Sequence, residues 1–358
     1  MSAGPSTPDD GEALRARIQA FLREAHGAAV EVTGLRPLPG GACQENLLVE
    51  LRLGGVGDAP RERLVLRSDA ARSLPFSLDR DAEAEVIRAA VAARVKTPEV
   101  RWLAPGLVRP GAKAYFLAFA EGEAVGRKVV ASPALAAARA GLGGELAREL
   151  ARIHSITPDS APALARRLRG AEEDPVTAAL DGVRSLLAGL PTHRPALLLA
   201  LRWLEAHRPA PGPVVLVHGD FRTGNFLVTP KGLSAILDWE FAHFGSPGED
   251  LAWIALRDWR FGELRRPVGG FSDRESFYAA YEAASGRGLD RATLHYWEVL
   301  GNVRWAAGSA YQGERYLCGE ERDLELLAVA RRSSEMEFEA LRLIGKGPFA
   351  GPQGAAHA

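Results

Sequence analysis

One stretch of the chain, residues 218–238, constrains its fold and chemistry more than any other. An apolar run, VVLV, ends there in the triplet HGD, whose acid is Asp220, and Asn225 follows five residues later. After the turn signal TPKG, the apolar residues AIL lead to Asp238. The pattern predicts two adjacent short strands that carry two acids and one amide at their ends, with a loop held between them.

These side-chain types suit phosphoryl transfer. A carboxylate such as that of Asp220 can orient or deprotonate an attacking hydroxyl group. Magnesium prefers hard oxygen ligands, few of which come from the protein, and Asn225 and Asp238 can supply them. The residue types also allow simpler interpretations, since Asp and Asn are common in turns and Asp238 can cap a helix.

The first third of the chain mixes strands and helices. Residues 47, 49, 51 and 53 are apolar and alternate in part with polar residues, which indicates one buried face of a strand. Strands are predicted at residues 30–38, 45–53, 63–67, 100–103 and 114–119, and helices at 14–25 and 79–93.

Beyond the segment AEGE at 120–123 the pattern becomes mainly helical, with a short β island. Helices are predicted at residues 133–154, 175–188, 195–207, 249–256, 274–285, 291–311 and 320–344, and strands at 214–218 and 233–238. The sequence therefore predicts an α+β fold with a small β-rich lobe at 12–119, a hinge at 120–123 and a larger helical lobe at 124–346. The ends, residues 1–11 and 347–358, are rich in small residues and proline and are predicted to be disordered.

Composition restricts the classes of partner. The chain has 358 residues, 44 basic and 45 acidic side chains, and two distant cysteines, Cys43 and Cys318. This balance gives no basic surface for nucleic acid and no polybasic membrane signal. No apolar run approaches the roughly 18 residues of a membrane span. The N-terminus lacks the pattern of a signal peptide, and a cytoplasmic location is expected.

The segment HGDFRTGN followed by ILDWE resembles the catalytic loop of the aminoglycoside phosphotransferase and choline kinase families, relatives of the protein kinases. Their loop reads H-G-D, four residues, N, and then an I-x-D-W/F-E hairpin. The chain is also similar to the bacterial branch that resembles the kinase-like domains of acyl-CoA dehydrogenase fusion proteins. The resemblance implies a bilobal protein-kinase-like fold, ATP and Mg²⁺ as cofactors, and transfer of the γ-phosphoryl group to a hydroxyl of a small molecule.

The resemblance also implies roles within the 218–250 region. Asp220 is the expected base, and Asn225 and Asp238 are the expected magnesium ligands. His218 is expected to pack beneath the loop and brace it. Asp250, in GSPGEDLAWI, is expected to accept backbone N–H bonds from the loop, and a helix N-cap is the simpler alternative for it.

In the first lobe the resemblance points to a phosphate-binding hairpin and a strand cation. Gly40 and Gly41 lie in GGACQEN, which is similar to the nucleotide loop of the family, although glycine is also common in plain hairpin turns. Arg67 ends the strand RLVLR, where most kinase-like folds carry lysine; arginine keeps the charge and changes the geometry. Glu83 is expected to pair with it, with Glu85 as the alternative.

The hinge and the acceptor side carry weaker signals. Phe119 and Glu121 flank the hinge, whose main chain is expected to hold adenine. The acceptor candidates are Glu240, Arg304 and Trp305. Four arginines at positions 257, 260, 265 and 266 disfavour a polycationic aminoglycoside and favour an anionic or neutral hydroxyl acceptor, such as an acyl-CoA-linked hydroxy acid.

Two other classes of function remain as alternatives. A nucleotide-binding regulatory protein without transfer activity is suggested by arginine at position 67. A metal-dependent hydrolase built on His218, Asp220 and Asp238 would need further histidine or carboxylate ligands nearby. The sequence does not set the oligomeric state or the choice between ATP and GTP.

Overall fold

The structure, a computed structural model, describes residues 8–27, 29–38, 44–54, 60–69 and 77–348. The chain divides into two compact units. The first unit comprises the described residues up to Glu121 together with Ile236–Phe241, and the second comprises Gly122–Ala235 and the described residues from Ala242 onward. The chain thus returns to the first unit for six residues, between two long segments of the second.

The first unit is an antiparallel sheet with a helix on each face. Its elements are α1 (Pro8–His26), β1 (Val30–Pro37), β2 (Gln44–Leu53), β3 (Arg61–Asp69), α2 (Arg80–Ala92), β4 (Val100–Leu103) and β5 (Ala114–Ala118). The order of these five strands in the sheet is β1-β2-β3-β5-β4.

Strand alternation decides which residues face which helix. The apolar face of β2 that the sequence predicted is confirmed, because residues 47, 49, 51 and 53 all pack in one core with Ile18 and Leu22 of α1. Leu66 of β3 and Phe116 of β5 belong to the same core. Their neighbours Arg67 and Tyr115 therefore point to the opposite face of the sheet, where α2 lies.

The second unit is mainly helical and is organised around one long helix. Its helices are α3 (Gly126–Ala131), α4 (Ala136–Ile153), α5 (Pro162–Ala165), α6 (Pro175–Ala188), α7 (Pro195–Ala206), α8 (Pro247–Trp253), α9 (Arg274–Ser285), α10 (Arg291–Leu317), α11 (Leu324–Ala330) and α12 (Arg332–Lys346). Buried residues of α6, α7, α10 and α12 form a common apolar core.

Four short strands in the C-terminal part of the chain pair differently from the sequence prediction. They are β6 (Val215–Val217), β7 (Phe226–Thr229), β8 (Gly232–Ile236) and β9 (His243–Gly245). β6 pairs with β9, and β7 pairs with β8. The prediction that the strands at 214–218 and 233–238 are adjacent is therefore wrong. The turn at 229–232 folds β8 back onto β7, a strand that the sequence pattern did not reveal.

The helix-rich second unit and the β-rich first unit confirm the predicted α+β class. Several helix boundaries differ from the prediction; for example, α10 extends to Leu317 instead of ending at residue 311. α1 begins at Pro8, inside the segment expected to be disordered, because proline is well suited to the first position of a helix. The single helix predicted at 320–344 is divided into α11 and α12 at Arg331.

Among the residues that the structure describes, no helix combines the length and apolar character that a bilayer span requires.

Gly170 provides a test of the packing around β9. It has a φ of +87°, and a Cβ there would overlap the backbone carbonyl of Phe244. We expect Gly170→Ala to lower the free energy of unfolding by about 2–4 kcal/mol, from left-handed strain and overpacking. Gly141→Ala, on the exposed side of α4 with open space around it, should instead raise it by about 0.5–1 kcal/mol. Urea unfolding of both variants measures these changes, and equal stabilities would contradict the packing described.

Candidate active site

The loop at residues 218–225 starts directly after β6, whose three residues are fully buried. Its conformation depends on Gly219, which has a φ of +80°. Residues with a side chain are disfavoured in this left-handed region, so glycine suits the position between His218 and Asp220. The chain can therefore turn sharply at the end of a rigid strand.

Asp250 of α8 holds the first turn of this loop. Its fully buried carboxylate accepts the backbone N–H of His218 on Oδ2 (2.7 Å) and that of Gly219 on Oδ1 (3.0 Å). Nε2 of His154, also fully buried, lies 3.2 Å from Oδ2. Burial alone would raise the pKa of Asp250, but the hydrogen bond and coulombic attraction of His154, with help from His218, lower it below its ordinary value. The loop is thus braced by charge-assisted hydrogen bonds.

The helix that carries Asp250 is itself fixed at its start. Ser246 is the N-cap and forms a capping box with Glu249, so the N-cap alternative for Asp250 is wrong. Oε2 of Glu249 also lies 3.1 Å from Nε2 of His243 in β9. Gly248 sits so close to the indole of Trp297 in α10 that a Cβ would collide with it. α8 therefore has a position set by β9 and α10.

The carboxylate of Asp220 receives donors on both oxygens. Oδ1 accepts the indole N–H of Trp253 at 2.7 Å. Nε of Arg222 lies 3.1 Å from Oδ1 and 3.0 Å from Oδ2. The amide of Asn225 donates to Oδ2 at 2.7 Å. Asp220 is only 9% exposed. The orientation of its carboxylate is therefore set by these three donors.

Asn225 is oriented by the residue it supports. Its Nδ2 donates to the backbone carbonyl of Asp220 (2.9 Å) as well as to the carboxylate. Because both bonds use the amide nitrogen, the amide oxygen is directed elsewhere and can serve a hard cation. This orientation is compatible with the role of magnesium ligand that the sequence predicted for Asn225.

His218 lies within the core beneath the loop. It is fully buried, its Nδ1 accepts the backbone N–H of Asp220 (3.3 Å), and its ring packs edge-on against Phe221 at 5.7 Å between centroids. These contacts make it a structural brace of the loop.

In the first unit, Arg67 lies at the centre of a buried ion-pair group. Its Nε and Nη2 lie 3.1 and 2.7 Å from the two carboxylate oxygens of Glu83, a bidentate pair. Its Nη2 also lies 2.6 Å from Oδ1 of Asp238. Tyr115 and Arg80 donate to Glu83 as well. Burial lowers the pKa of Arg67, but the charge of Glu83 raises it well above its ordinary value.

The return segment 236–241 brings Asp238 and Glu240 into this first unit. The segment is held there by the bond from Trp239 Nε1 to Thr97 Oγ1 (3.0 Å) and by the bond from the backbone N–H of Leu78 to the carbonyl of Glu240 (2.7 Å). Asp238 has a φ of +69°, an uncommon conformation for a residue with a side chain. Such strain is often found at functional positions.

Glu240 is an acid with an unusual environment. It is 5% exposed, and Nη2 of Arg80 lies 3.9 Å from its carboxylate. Burial and the charge of Asp238 raise the pKa of Glu240 to about 7, against the lowering effect of Arg67 and Arg80.

The remaining predicted residues are placed as follows. Gly40 and Gly41 lie outside the described residues. The guanidinium of Arg63 lies over the ring of Phe119 (4.1 Å) and 2.5 Å from the carboxylate of Glu121. Arg304 and Trp305 follow one another on α10 in the second unit.

Arg304 contacts the 218–225 loop, whereas Trp305 contacts Asp258. Arg304 Nη2 donates to the carbonyl of Gly219 (3.1 Å), and its guanidinium lies over the ring of Trp253 (4.9 Å). Trp305 Nε1 donates to Asp258 (2.5 Å).

Sequence reasoning missed two residues that hold the loop, Arg222 and Trp253. Arg222 lies inside the H-G-D-x4-N spacing at a position the motif leaves open. Trp253 follows Asp250 by three residues, a spacing that places both on one face of a helix. The contact of His154 with Asp250 also gives no signal in sequence, because it joins residues 96 positions apart.

The fold and these residues define a kinase-like phosphotransferase. The model of the phosphotransferase enzyme family, APH, matches residues 34–295, and the chain belongs to this family. The expected protein-kinase-like fold is confirmed by solved structures of such enzymes.

One similar structure comes from Ralstonia eutropha JMP134 and is provisionally named an aminoglycoside phosphotransferase. It is 21% identical with a TM-score of 0.70, over 94% of this chain and 99% of that one. Spectinomycin phosphotransferase APH(9)-Ia, solved with ADP and spectinomycin, is 14% identical with a TM-score of 0.60, over 91% and 98% of the two chains. At such identities the likeness shows the fold alone.

Among curated proteins, acyl-CoA dehydrogenase family member 10 of Mus musculus is 39% identical over 64 residues. The match spans 17% of this chain and 6% of the length of the mouse protein.

The brace at Asp250 can be tested by Asp250→Asn. This change removes the charge and turns one acceptor into a donor among buried N–H groups, so we expect a loss of about 3–5 kcal/mol in the free energy of unfolding. Asp273→Asn at the exposed N-cap of α9 should change little, because Asn caps a helix as well as Asp. Urea unfolding at neutral pH measures both variants, and a similar small change in each would contradict the brace.

Urea unfolding of wild type and Asp250→Asn at a series of pH values gives a second test. The pKa of Asp250 is lowered in the folded state from 3.8, so its stabilising effect is full above that value and is lost as the pH falls through the lower folded pKa. The stability gap between wild type and Asp250→Asn should stay constant from about pH 7 to 5 and narrow below about pH 4.

Proposed function

We propose that this protein transfers the γ-phosphoryl group of ATP to a hydroxyl group of a small molecule, with Asp220 as the base. The observation that carries the proposal is the carboxylate of Asp220, fixed by three donors on a loop that follows a buried strand. Family membership supports a phosphate-transferring enzyme. The ADP bound by spectinomycin phosphotransferase supports an adenine nucleotide as donor.

The chemical step follows from the position of the base. Asp220 takes the proton of the acceptor hydroxyl as the acceptor oxygen forms a bond to the γ-phosphorus. The bond between that phosphorus and the β–γ bridging oxygen breaks, and ADP leaves with the electron pair. The proton then passes from Asp220 to solvent.

Magnesium is proposed as the cofactor, with Asn225 and Asp238 as its ligands. The assignment of Asp238 rests on its spacing in the sequence motif, and that of Asn225 also on the orientation of its amide. When bound, the ion offsets the negative charge that the phosphate oxygens carry during transfer.

The first unit supplies the proposed nucleotide contacts. Arg67 would take the place of the usual lysine at the phosphates, held in its rotamer by the bidentate pair with Glu83. Gly40 and Gly41 are proposed to offer backbone N–H groups to the phosphates. The main chain from Phe119 to Glu121 is proposed to hold adenine.

A small hydroxyl compound is the proposed acceptor, with Glu240, Arg304 and Trp305 as candidate contacts. One of the four arginines that favoured an anionic or neutral compound is engaged elsewhere. Arg260 is buried, donates to the carbonyl of Ala255 (2.7 Å) and lies 3.8 Å from Glu298, so it serves the core of the second unit. Arg265 and Arg266 remain exposed.

One observation favours a second candidate, a nucleotide-binding regulatory protein without transfer activity. Asp238, the proposed magnesium ligand, is bound to Arg67 at 2.6 Å. Magnesium must compete with this guanidinium for the carboxylate. A melting temperature that rises with Mg-ATP, in a protein that turns over no ATP with any hydroxyl compound, would favour this candidate.

Asp220→Asn tests the base. The change keeps the shape of the side chain and removes the proton acceptor, so ATP turnover, with water or a hydroxyl acceptor, should fall by about 10²- to 10⁴-fold. Nucleotide binding, followed by the rise of the melting temperature with ADP, should persist. Asp159→Asn, at an exposed turn, is the matched control. Full turnover by Asp220→Asn would exclude Asp220 as the base.

Metal dependence is tested by chelation and by the two proposed ligands. EDTA should stop turnover and added magnesium should restore it. Asn225→Ala and Asp238→Ala should each raise the magnesium concentration for half-maximal rate at least roughly tenfold, the loss seen even for residues that only support a ligand. An unchanged magnesium requirement in both variants would contradict the assignment.

A further inference from the structure

We infer that Trp253 is a positioning residue for Asp220: its indole N–H fixes the plane of the carboxylate that acts as base. This inference rests on the proposed function and assigns a role to a residue outside the H-G-D-x4-N motif. It depends only on contacts within the second unit.

Two fixed donors hold an aspartate carboxylate in one orientation better than one does. The torsion about the Cβ–Cγ bond of aspartate is broad, so a single hydrogen bond restricts the rotation of the carboxylate only in part. Asn225 binds Oδ2 at 2.7 Å, and Trp253 binds Oδ1 at 2.7 Å. The two donors hold opposite ends of the carboxylate, and together they define its plane.

Arg222 also donates to Asp220, but it is a less rigid donor. Its side chain is 27% exposed and its single Nε is shared between both oxygens. Trp253 is 6% exposed and has only two side-chain torsions. Its bond to an ionised oxygen away from solvent belongs to the stronger class of hydrogen bonds.

The indole of Trp253 is held by a cluster of aromatic rings. Its ring lies 5.8 Å from that of Trp259 and 6.3 Å from that of Trp305, between centroids. Trp305 is in turn tied to Asp258, which pairs with Arg332 of α12. The guanidinium of Arg304 covers another part of the Trp253 ring. The donor therefore cannot swing away without disturbing this cluster.

α8 thus makes two separate contacts with the loop. Asp250 binds the backbone of residues 218 and 219, and Trp253, one helical turn later, binds the side chain of Asp220. Because both contacts come from one short helix with a fixed start, the position of α8 determines both the loop backbone and the orientation of the Asp220 carboxylate. Loss of the Trp253 contact should disturb the carboxylate while the loop backbone stays in place.

The experiment compares Trp253→Phe with Trp203→Phe. Each variant keeps an aromatic ring and loses one indole N–H. The N–H of Trp253 binds Asp220, whereas Trp203 lies on α7 and packs against His207 and Tyr296, outside the ring cluster that holds Trp253. Steady-state ATP turnover should show kcat of Trp253→Phe reduced about tenfold to a hundredfold, the range for a lost hydrogen bond to a charged group. Its KM for ATP should stay within about twofold of wild type, since the contact serves the transition state.

The Trp203→Phe variant should retain kcat and KM near the wild-type values. Equal kcat values for the two variants, or a loss in Trp253→Phe confined to KM, would overturn the inference while an active wild type leaves the proposed function intact. A wild type without any turnover of ATP would overturn the proposed function, and the inference with it.

A second measurement needs no variant of Trp253. In protein with a site-specific ¹⁵N label on the Trp253 indole, Asp220→Ala should move the N–H resonance upfield and speed its exchange with solvent. An unchanged resonance would overturn the inference even if Trp253→Phe fails to fold.

Discussion

The buried carboxylate of Asp250 is the interaction on which the second unit's candidate site depends. It receives two backbone N–H groups from the loop and faces His154, so a charge that would be costly to bury alone is surrounded by donors. The same helix sends Trp253 to Asp220. The loop is therefore held in a turn that β6 and Gly219 begin and α8 completes, and the carboxylate of Asp220 is held in one orientation.

In the first unit, too, a buried charge is stabilised by partners that surround it. Arg67 is buried on the face of the sheet opposite α1, and it is stable there because Glu83 meets it in a bidentate pair. Asp238 joins this group only because the chain returns to the first unit for six residues. The groups around Arg67 and around Asp250 are thus each fixed by partners from their own unit.

The sequence predicted the parts of this arrangement that periodicity and spacing encode. The alternation in β2 and the helical patterns of α6 and α9 were sufficient to place those elements. The pairing of β6 with β9 was missed because strands of three residues carry no readable period. The contacts of Trp253 with Asp220 and of His154 with Asp250 were missed because they join residues that lie far apart in the sequence. Whether Glu83 or Glu85 pairs with Arg67 was decided by the face of α2 that meets the sheet.

Transfer of a phosphoryl group from ATP to a hydroxyl compound is measured most directly with ATP labelled by ¹⁸O in the γ-phosphoryl group. The protein, Mg²⁺ and a library of small hydroxyl compounds, anionic and neutral ones included, are analysed by mass spectrometry. We expect one chemical class of compound to gain a single labelled phosphoryl group while an equal amount of ADP forms. Binding of Mg-ATP with no labelled product from any hydroxyl compound would contradict the proposed transfer.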